Sequence, residues 1–236
     1  MNEKLNIVLL LLAFLAAATL PVFHALRTPF FHQTYAAEDG PVEWLTFLCL
    51  CACAFVLARQ AIAVRRAGGR RLAALLLGLY ACAFLFAAGE EISWGQRIFG
   101  WEAGAFFTEN SNRAETNLHN LKIGEVKLVQ FLFGHVLTLV LLSYLVVLPV
   151  LHPALAFVQR LTEMFAVPVP HLHHAALALL ASVAEAAVDL QRQWEIYELV
   201  FALLALSIFL LPKNARVFRP APGVAPSSQK AMPPRA

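Results

Sequence analysis

The feature that most constrains this chain is a succession of long apolar runs with almost no charge inside them. Residues 5–26, 41–64, 72–94 and 126–151 each supply a run of this kind. A helix needs roughly 20 mostly apolar residues to cross a bilayer. Backbone N–H and C=O groups in hydrocarbon must pair within their own segment, so such runs specify helices. The composition agrees: 60% of the residues are hydrophobic and 14% charged, whereas a soluble domain carries about a quarter charged. The expected fold class is all-α, a polytopic transmembrane helix bundle whose first partner is the lipid bilayer. Lys4 and Ala16-Ala17-Ala18 give the first run the outline of a signal peptide. The apolar run continues past them, which predicts an uncleaved first helix.

The last third divides in two. Residues 173–190 are apolar around Glu185 and Asp189, and residues 195–211 are apolar after Glu195 and Glu198. One helix across both would be about 60 Å long at 1.5 Å per residue, twice a bilayer core. Two helices with a tight turn near Gln191-Arg192-Gln193 are therefore expected, giving about six in all. The alternative is five, with the 173–190 segment half inserted. Arg65, Arg66, Arg70 and Arg71 lie between the second and third runs, Lys213, Arg216 and Arg219 follow the last, and Lys4 precedes the first. The positive-inside rule then puts both termini in the cytoplasm. Nearly all the acids fall at the other, outer face. Residues 1–212 form the bundle, with an outer cap at about 95–125. The Pro-rich tail 213–236 is too poor in apolar residues to bury a core and reads as disordered.

The net charge of +3 is spent on topology, and no basic-aromatic stripe marks a nucleic-acid partner. Cys49, Cys51, Cys53 and Cys82 sit in apolar runs without CxxC spacing, so they read as packing residues rather than a disulfide or zinc site.

Four polar stretches converge on the outer face: Glu38 to Trp44, Gly89 to Arg97, Glu115 to Asn120, and Glu185 to Glu198. Glu90 and Glu91 follow an unbroken apolar run, and adjacent helical side chains diverge by about 100°. Either both are solvated acids at an interfacial helix end, or at least one faces the bundle interior, where it needs a cation, a shared proton or a metal. Arg97 lies two turns beyond Glu90, and Gly95 permits the bend that would bring it back. Arg97 is either a structural counter-charge or an anion clamp, with Trp94, Gln96, Asn117 and Asn120 as neighbouring binding groups. Glu115 and His119 share the i, i+4 spacing of a metal pair, an acid–base pair or a simple helix-stabilising pair. Glu185 has no basic neighbour at helical spacing, so its partner is expected from Arg97 or His119. The candidate catalytic set is Glu90, Glu91, His119 and Glu185. The cofactor is open; a divalent metal, if present, would take Glu91, Glu115 and His119. His135 lies alone inside the fourth run, and His152, His171, His173 and His174 fall on the opposite side from the acids.

The run Gly89-Glu90-Glu91-Ile92-Ser93-Trp94-Gly95-Gln96-Arg97, paired with Asn117-Leu118-His119-Asn120, resembles an uncharacterised family of bacterial multi-pass membrane proteins with EEISWGQR and NLHN motifs. The resemblance implies a protein of the bacterial cytoplasmic (inner) membrane and implies no reaction. Paired glutamates with Phe131 and His135 as FxxxH also have some similarity to the intramembrane CAAX-type proteases. Those enzymes use EExxxR where this chain has EExxxxxR, and their site faces the cytoplasm. Three functions fit the residues: an enzyme, hydrolase or transferase, acting on a lipid or lipid-linked substrate at the outer face; a non-catalytic assembly protein that docks a partner; or a proton-coupled transporter.

Overall fold

The structure is a computed structural model that describes residues 2–111, 115–118, 121–123, 126–127 and 136–218. In chain order it runs α1 (Asn2–Leu26), a π turn (Phe31–Tyr35), α2 (Pro41–Arg66), α3 (Arg71–Glu91) and a 3-10 turn (Ser93–Gly95). Short helices α4 (Gln96–Phe99) and α5 (Ala105–Asn110) and a two-residue ladder, β1 (Lys122–Ile123) with β2 (Val126–Lys127), follow. Then come α6 (Leu137–Leu142), a π turn (Ser143–Val147), α7 (Leu148–Ala154), α8 (Ala156–Met164), α9 (Leu172–Ala186) and α10 (Gln193–Leu210).

Among the described residues, five segments are long and apolar enough to cross a membrane: α1, α2, α3, the continuous Leu137–Ala154 stretch and α10. The chain is an α-helical membrane bundle. The sixth expected span, α9, has 15 residues. At 1.5 Å per residue it rises about 22 Å, short of a hydrocarbon core of about 30 Å. The turn expected near Gln191 begins earlier, because α9 ends at Ala186.

α10 is apolar all round and forms the axis of the bundle. Ile196, Leu199, Val200, Leu203, Leu204 and Ile208 are buried on its several faces, against α1, α2 and α9, while α3 packs along α2. Ala13, Ala16 and Ala17 of α1 and Ala175, Ala178 and Ala181 of α9 are buried. Small residues of this kind let membrane helices approach closely.

The two ends of the bundle differ in charge. At one end, Ser207 of α10 donates to Asn6 of α1, and His174 of α9 pairs with Ser207 at 2.8 Å. Gln60 of α2 donates to the Phe209 carbonyl at 2.6 Å. Arg65 and Arg66 end α2, and Arg70 and Arg71 lead into α3, at that same end. The starts of α2 and α10 and the end of α3 form the opposite, acidic end.

Three expectations change. Val126, read as the start of a membrane helix, pairs with Ile123, and Lys127 with Lys122, in an antiparallel ladder; residues 128–135, His135 among them, lie outside the described residues. An amphipathic helix, α8, follows α7 with Phe157 and Met164 exposed. It was missed because a search for 20-residue runs passes over nine residues. The tail is ordered as far as Phe218, which is buried. The Lys213 N–H donates to the Val169 carbonyl, and Asn214 bridges Val167 and Val169 at 2.9 Å each. Residues 219–236 lie outside the described residues.

Candidate functional site

The acidic end begins with the entry into α2. Pro41 takes the first helical position, where a missing N–H costs nothing. Gly40 precedes it because a Cβ there would lie 2.6 Å from the Ala37 carbonyl oxygen. Glu43 closes the turn by accepting the Asp39 N–H at 2.9 Å, and the positive end of the helix dipole favours a carboxylate in this first turn.

The exit from α3 is strained. Ser93, Trp94 and Gly95 have φ of 46°, 56° and 80°. Left-handed geometry costs a residue with a Cβ roughly 1–2 kcal/mol. Two devices offset that cost. The Trp94 indole stacks on Gly89, where a Cβ would lie 2.9 Å from its ring, and its N–H donates to Glu90 at 2.8 Å. Ser93 is fully buried; its hydroxyl accepts from Asn117 at 2.7 Å and from Arg97 at 3.1 Å and donates to Glu115 at 3.3 Å. The reversal aims Arg97 at the start of α2.

Arg97 is shared by four carboxylates. Its Nε donates to Asp39 at 2.9 Å, Nη1 to Glu38 at 3.2 Å and Glu115 at 3.3 Å, and Nη2 to Glu43 at 2.7 Å. Burial disfavours the charge, but the Asp39 hydrogen bond and the fields of Glu43, Asp39 and Glu115 outweigh it and hold the guanidinium above its ordinary pKa. Glu115 moves up from its ordinary carboxyl value, first through burial and then through its hydrogen bond and repulsion with Glu38; Asn117 and Arg97 oppose the rise. The segment around Glu115 is tied down at further points. Gln96 accepts the Thr116 N–H at 2.6 Å, Glu90 accepts the Leu118 N–H at 2.5 Å, and Asn117 donates to Glu115 at 3.0 Å.

A second group lies on the other face of α3's last turn. Glu91, Glu195 and Glu198 present carboxylate oxygens within 4.8 Å of one another. Glu43 adds its field to Glu91 and Glu195. Glu195 sits in the first turn of α10 and binds Arg192 at 2.9 Å. Arg192 also reaches Glu38 at 3.6 Å. Glu91 is different: it makes no hydrogen bond or ion pair among the described residues, and it ends a helix whose dipole disfavours a carboxylate there. Glu198 faces a small cleft between α10 and α6, lined by Leu137, Thr138, Leu141, Trp194, Tyr197 and Phe201.

The structure therefore brings Glu90, Trp94, Gln96, Arg97, Glu115 and Asn117 together, with Glu91 beside them in the second group. The donors and acceptors of Trp94, Gln96 and Asn117 engage other residues of the chain. His119 and Asn120 lie outside the described residues. Among the described residues Glu185 does not join: its carboxylate accepts from Gln193 at 3.0 Å within its own hairpin and does not meet Arg97, one of the two partners the sequence suggested, while the other, His119, lies outside the described residues. Of the expected metal set, His119 lies outside the described residues; among those described, the metal-compatible set has other members. Glu91 groups with Glu195 and Glu198, whereas Glu115 faces Arg97. Sequence reading missed Glu38, Asp39, Glu43, Ser93, Arg192, Glu195 and Glu198 as site members, although each lies within a polar stretch it had marked. The signal available was the i, i+3 pair Glu195 and Glu198 on a helix of otherwise apolar character.

No protein family, curated protein or solved structure matches this chain.

Proposed function

We propose that this chain is a membrane-embedded enzyme, a hydrolase or transferase, acting on a lipid or lipid-linked substrate at the non-cytoplasmic face of a bacterial inner membrane. The observation that carries the reading is Glu198, which belongs at once to the three-carboxylate group and to the wall of the aromatic and aliphatic cleft between α10 and α6. A lipid chain in that cleft would bring its polar head to carboxylates held beneath a pinned cap. Glu91 and Glu198 act on the substrate as general base or ligand. Arg97 and Glu90 build the frame, because their hydrogen-bonding groups already serve the cap. His119, next to the Glu90-bound Leu118, is the acid–base partner the sequence offers.

The interior disfavours a carrier. Between Glu198 and Ser207 the buried positions of α10 are Leu199, Val200, Ala202, Leu203, Leu204 and Leu206. They form an apolar plug about 13 Å long at 1.5 Å per residue, whereas a proton path needs polar groups through the bundle.

The test is lipid turnover by the purified full chain in nanodiscs made from a bacterial lipid extract, read by mass spectrometry. Wild type is expected to deplete at least one lipid species and Glu198→Gln to leave it intact. A photoactivatable lipid is expected to label Thr138 or Leu141. If no species changes and no label reaches the cleft, the enzyme reading fails.

A further inference from the structure

The three-carboxylate group poses an electrostatic problem of its own. Glu91 approaches from the end of α3, Glu195 and Glu198 from the first two turns of α10, and their oxygens lie within 4.8 Å of one another. Three like charges at that separation inside an apolar bundle repel strongly, because the local dielectric screens them poorly. The nearby guanidiniums leave Glu91 and Glu198 unmet, although the buried Arg192 Nε has no partner among the described residues. Arg97 divides itself among four other carboxylates, and Arg192 reaches only Glu195 of the three. The Trp194 indole lines the same cleft wall as Glu198. Glu91 is sunk among the helices and points into the group with neither donor nor cation to meet it among the described residues.

We propose that Glu91, Glu195 and Glu198 bind one hard divalent cation, of the Mg2+, Mn2+ or Ca2+ class. Two observations support it independently. One is the convergence of three oxygen ligands from two helices. The other is Glu91, an unpartnered carboxylate set against its own helix dipole and aimed at that point. The oxygen-only donor set selects the class, since His and Cys, which favour zinc, are absent from the group among the described residues. The spacing suits it too. Two oxygens on opposite sides of such a cation lie about 4–5 Å apart at metal–oxygen bonds of roughly 2.0–2.6 Å. Glu198 places the cation at the edge of the cleft, where it would meet a substrate phosphate or carbonyl oxygen and polarise it as a Lewis acid. That catalytic use rests on the enzyme reading above; the binding itself does not.

Mn2+ titrated into the purified full-length chain in detergent at neutral pH, followed by electron paramagnetic resonance, decides the matter. One tightly bound Mn2+ per chain is expected, displaced by Mg2+ or Ca2+. Glu91→Gln and Glu198→Gln are each expected to weaken it by roughly tenfold or more, while Glu185→Gln, whose carboxylate faces Gln193, keeps it. If a Gln variant does not fold, Tb3+ on the wild type gives a second readout: its indole-excited luminescence is expected to fall in Trp194→Phe. Absence of stoichiometric binding to folded wild type overturns the proposal and leaves shared protons to relieve the repulsion. So does binding that survives both Gln substitutions in folded protein. A chain that binds Mn2+ but turns over no lipid keeps the cation site and sinks the enzyme reading; lipid turnover without bound cation does the reverse.

Discussion

Two groups of carboxylates share the acidic end of this bundle, and they are built on opposite plans. Glu38, Asp39, Glu43 and Glu115 surround Arg97, and every nitrogen of its guanidinium is engaged. Among the described residues, Glu91, Glu195 and Glu198 surround no side-chain cation of their own, and of the three only Glu195 is met by an arginine. The first group shares one guanidinium among four carboxylates and ties three distant parts of the chain together. The second concentrates charge beside a cleft. Residue type is the same in both, so the difference lies in what the fold supplies as partner. The cluster whose members all meet Arg97 acts as structure, and the other is the one to which chemistry is proposed.

The sharpest way to break this contrast is to remove the arginine. Arg97→Met leaves four carboxylates facing one another, and breaking a buried or half-buried ion network typically costs about 3–5 kcal/mol. The expected result is a large drop in the unfolding midpoint of the detergent-solubilised protein. Arg97→Lys is expected to recover little, because an ammonium lacks the planar fork that meets Asp39 and Glu43 at once. An Arg97→Met protein as stable as wild type would mean that the first group is no more structural than the second.

The turn that delivers Arg97 should respond next. Ser93→Ala removes the hydroxyl that accepts from Asn117 and Arg97 in a fully buried position. Leaving buried donors unmet costs about 1–3 kcal/mol. Gly95→Ala forces a side chain onto a φ of 80° and is expected to cost about 1–2 kcal/mol. Both should lower thermal stability and leave Mn2+ binding at Glu91 intact.

The second group should behave with the opposite sign. Without divalent cations, Glu91→Gln removes repulsion and is expected to raise stability by about 0.5–2 kcal/mol, the usual trade between a functional site and the fold around it. The same substitution is expected to abolish lipid turnover. A loss of stability as large as that of Arg97→Met would show that Glu91 has a partner and would erase the distinction.

Much of this was legible in the sequence, and the reasons are physical. The apolar runs specify helices because hydrocarbon leaves the backbone no other partner, and the polar stretches had to meet because antiparallel helices return to the same end. Contact between the Glu90-to-Arg97 and Glu115-to-Asn117 stretches followed from that. The choice of partners did not. Arg97 pairs with residues 54 to 59 positions earlier in the chain, and no local periodicity encodes such a pairing. The i, i+3 spacing puts Glu195 and Glu198 on one face of their own helix, and only the end of α3 reveals the third oxygen. Glu185 misled in the other direction. It had no basic neighbour at helical spacing, yet a neutral amide eight residues on, Gln193, meets it across the turn.

The smallest effect separates the two groups by pH. Glu115 has its carboxyl raised above the ordinary value of 4.5, by burial first and then by Glu38. A carboxyl raised on folding binds its proton more tightly in the folded chain. It therefore contributes stability that is fully present below pH 4.5 and is lost as the pH climbs through the raised value. The local reporters are the Thr116 and Leu118 amides, which donate to Gln96 and Glu90. Their hydrogen-exchange protection, corrected for the intrinsic rate, is expected to decline as pH rises above that window. The same acidification also discharges other acids around Arg97, so the comparison must be made against Glu115→Gln at each pH. That variant stays neutral throughout and keeps an acceptor for Ser93 and Arg97. Its protection is expected to decline less than that of wild type, and the difference between the two curves belongs to Glu115. Parallel curves would mean that the Arg97 field and the Asn117 hydrogen bond offset burial and Glu38 completely at Glu115.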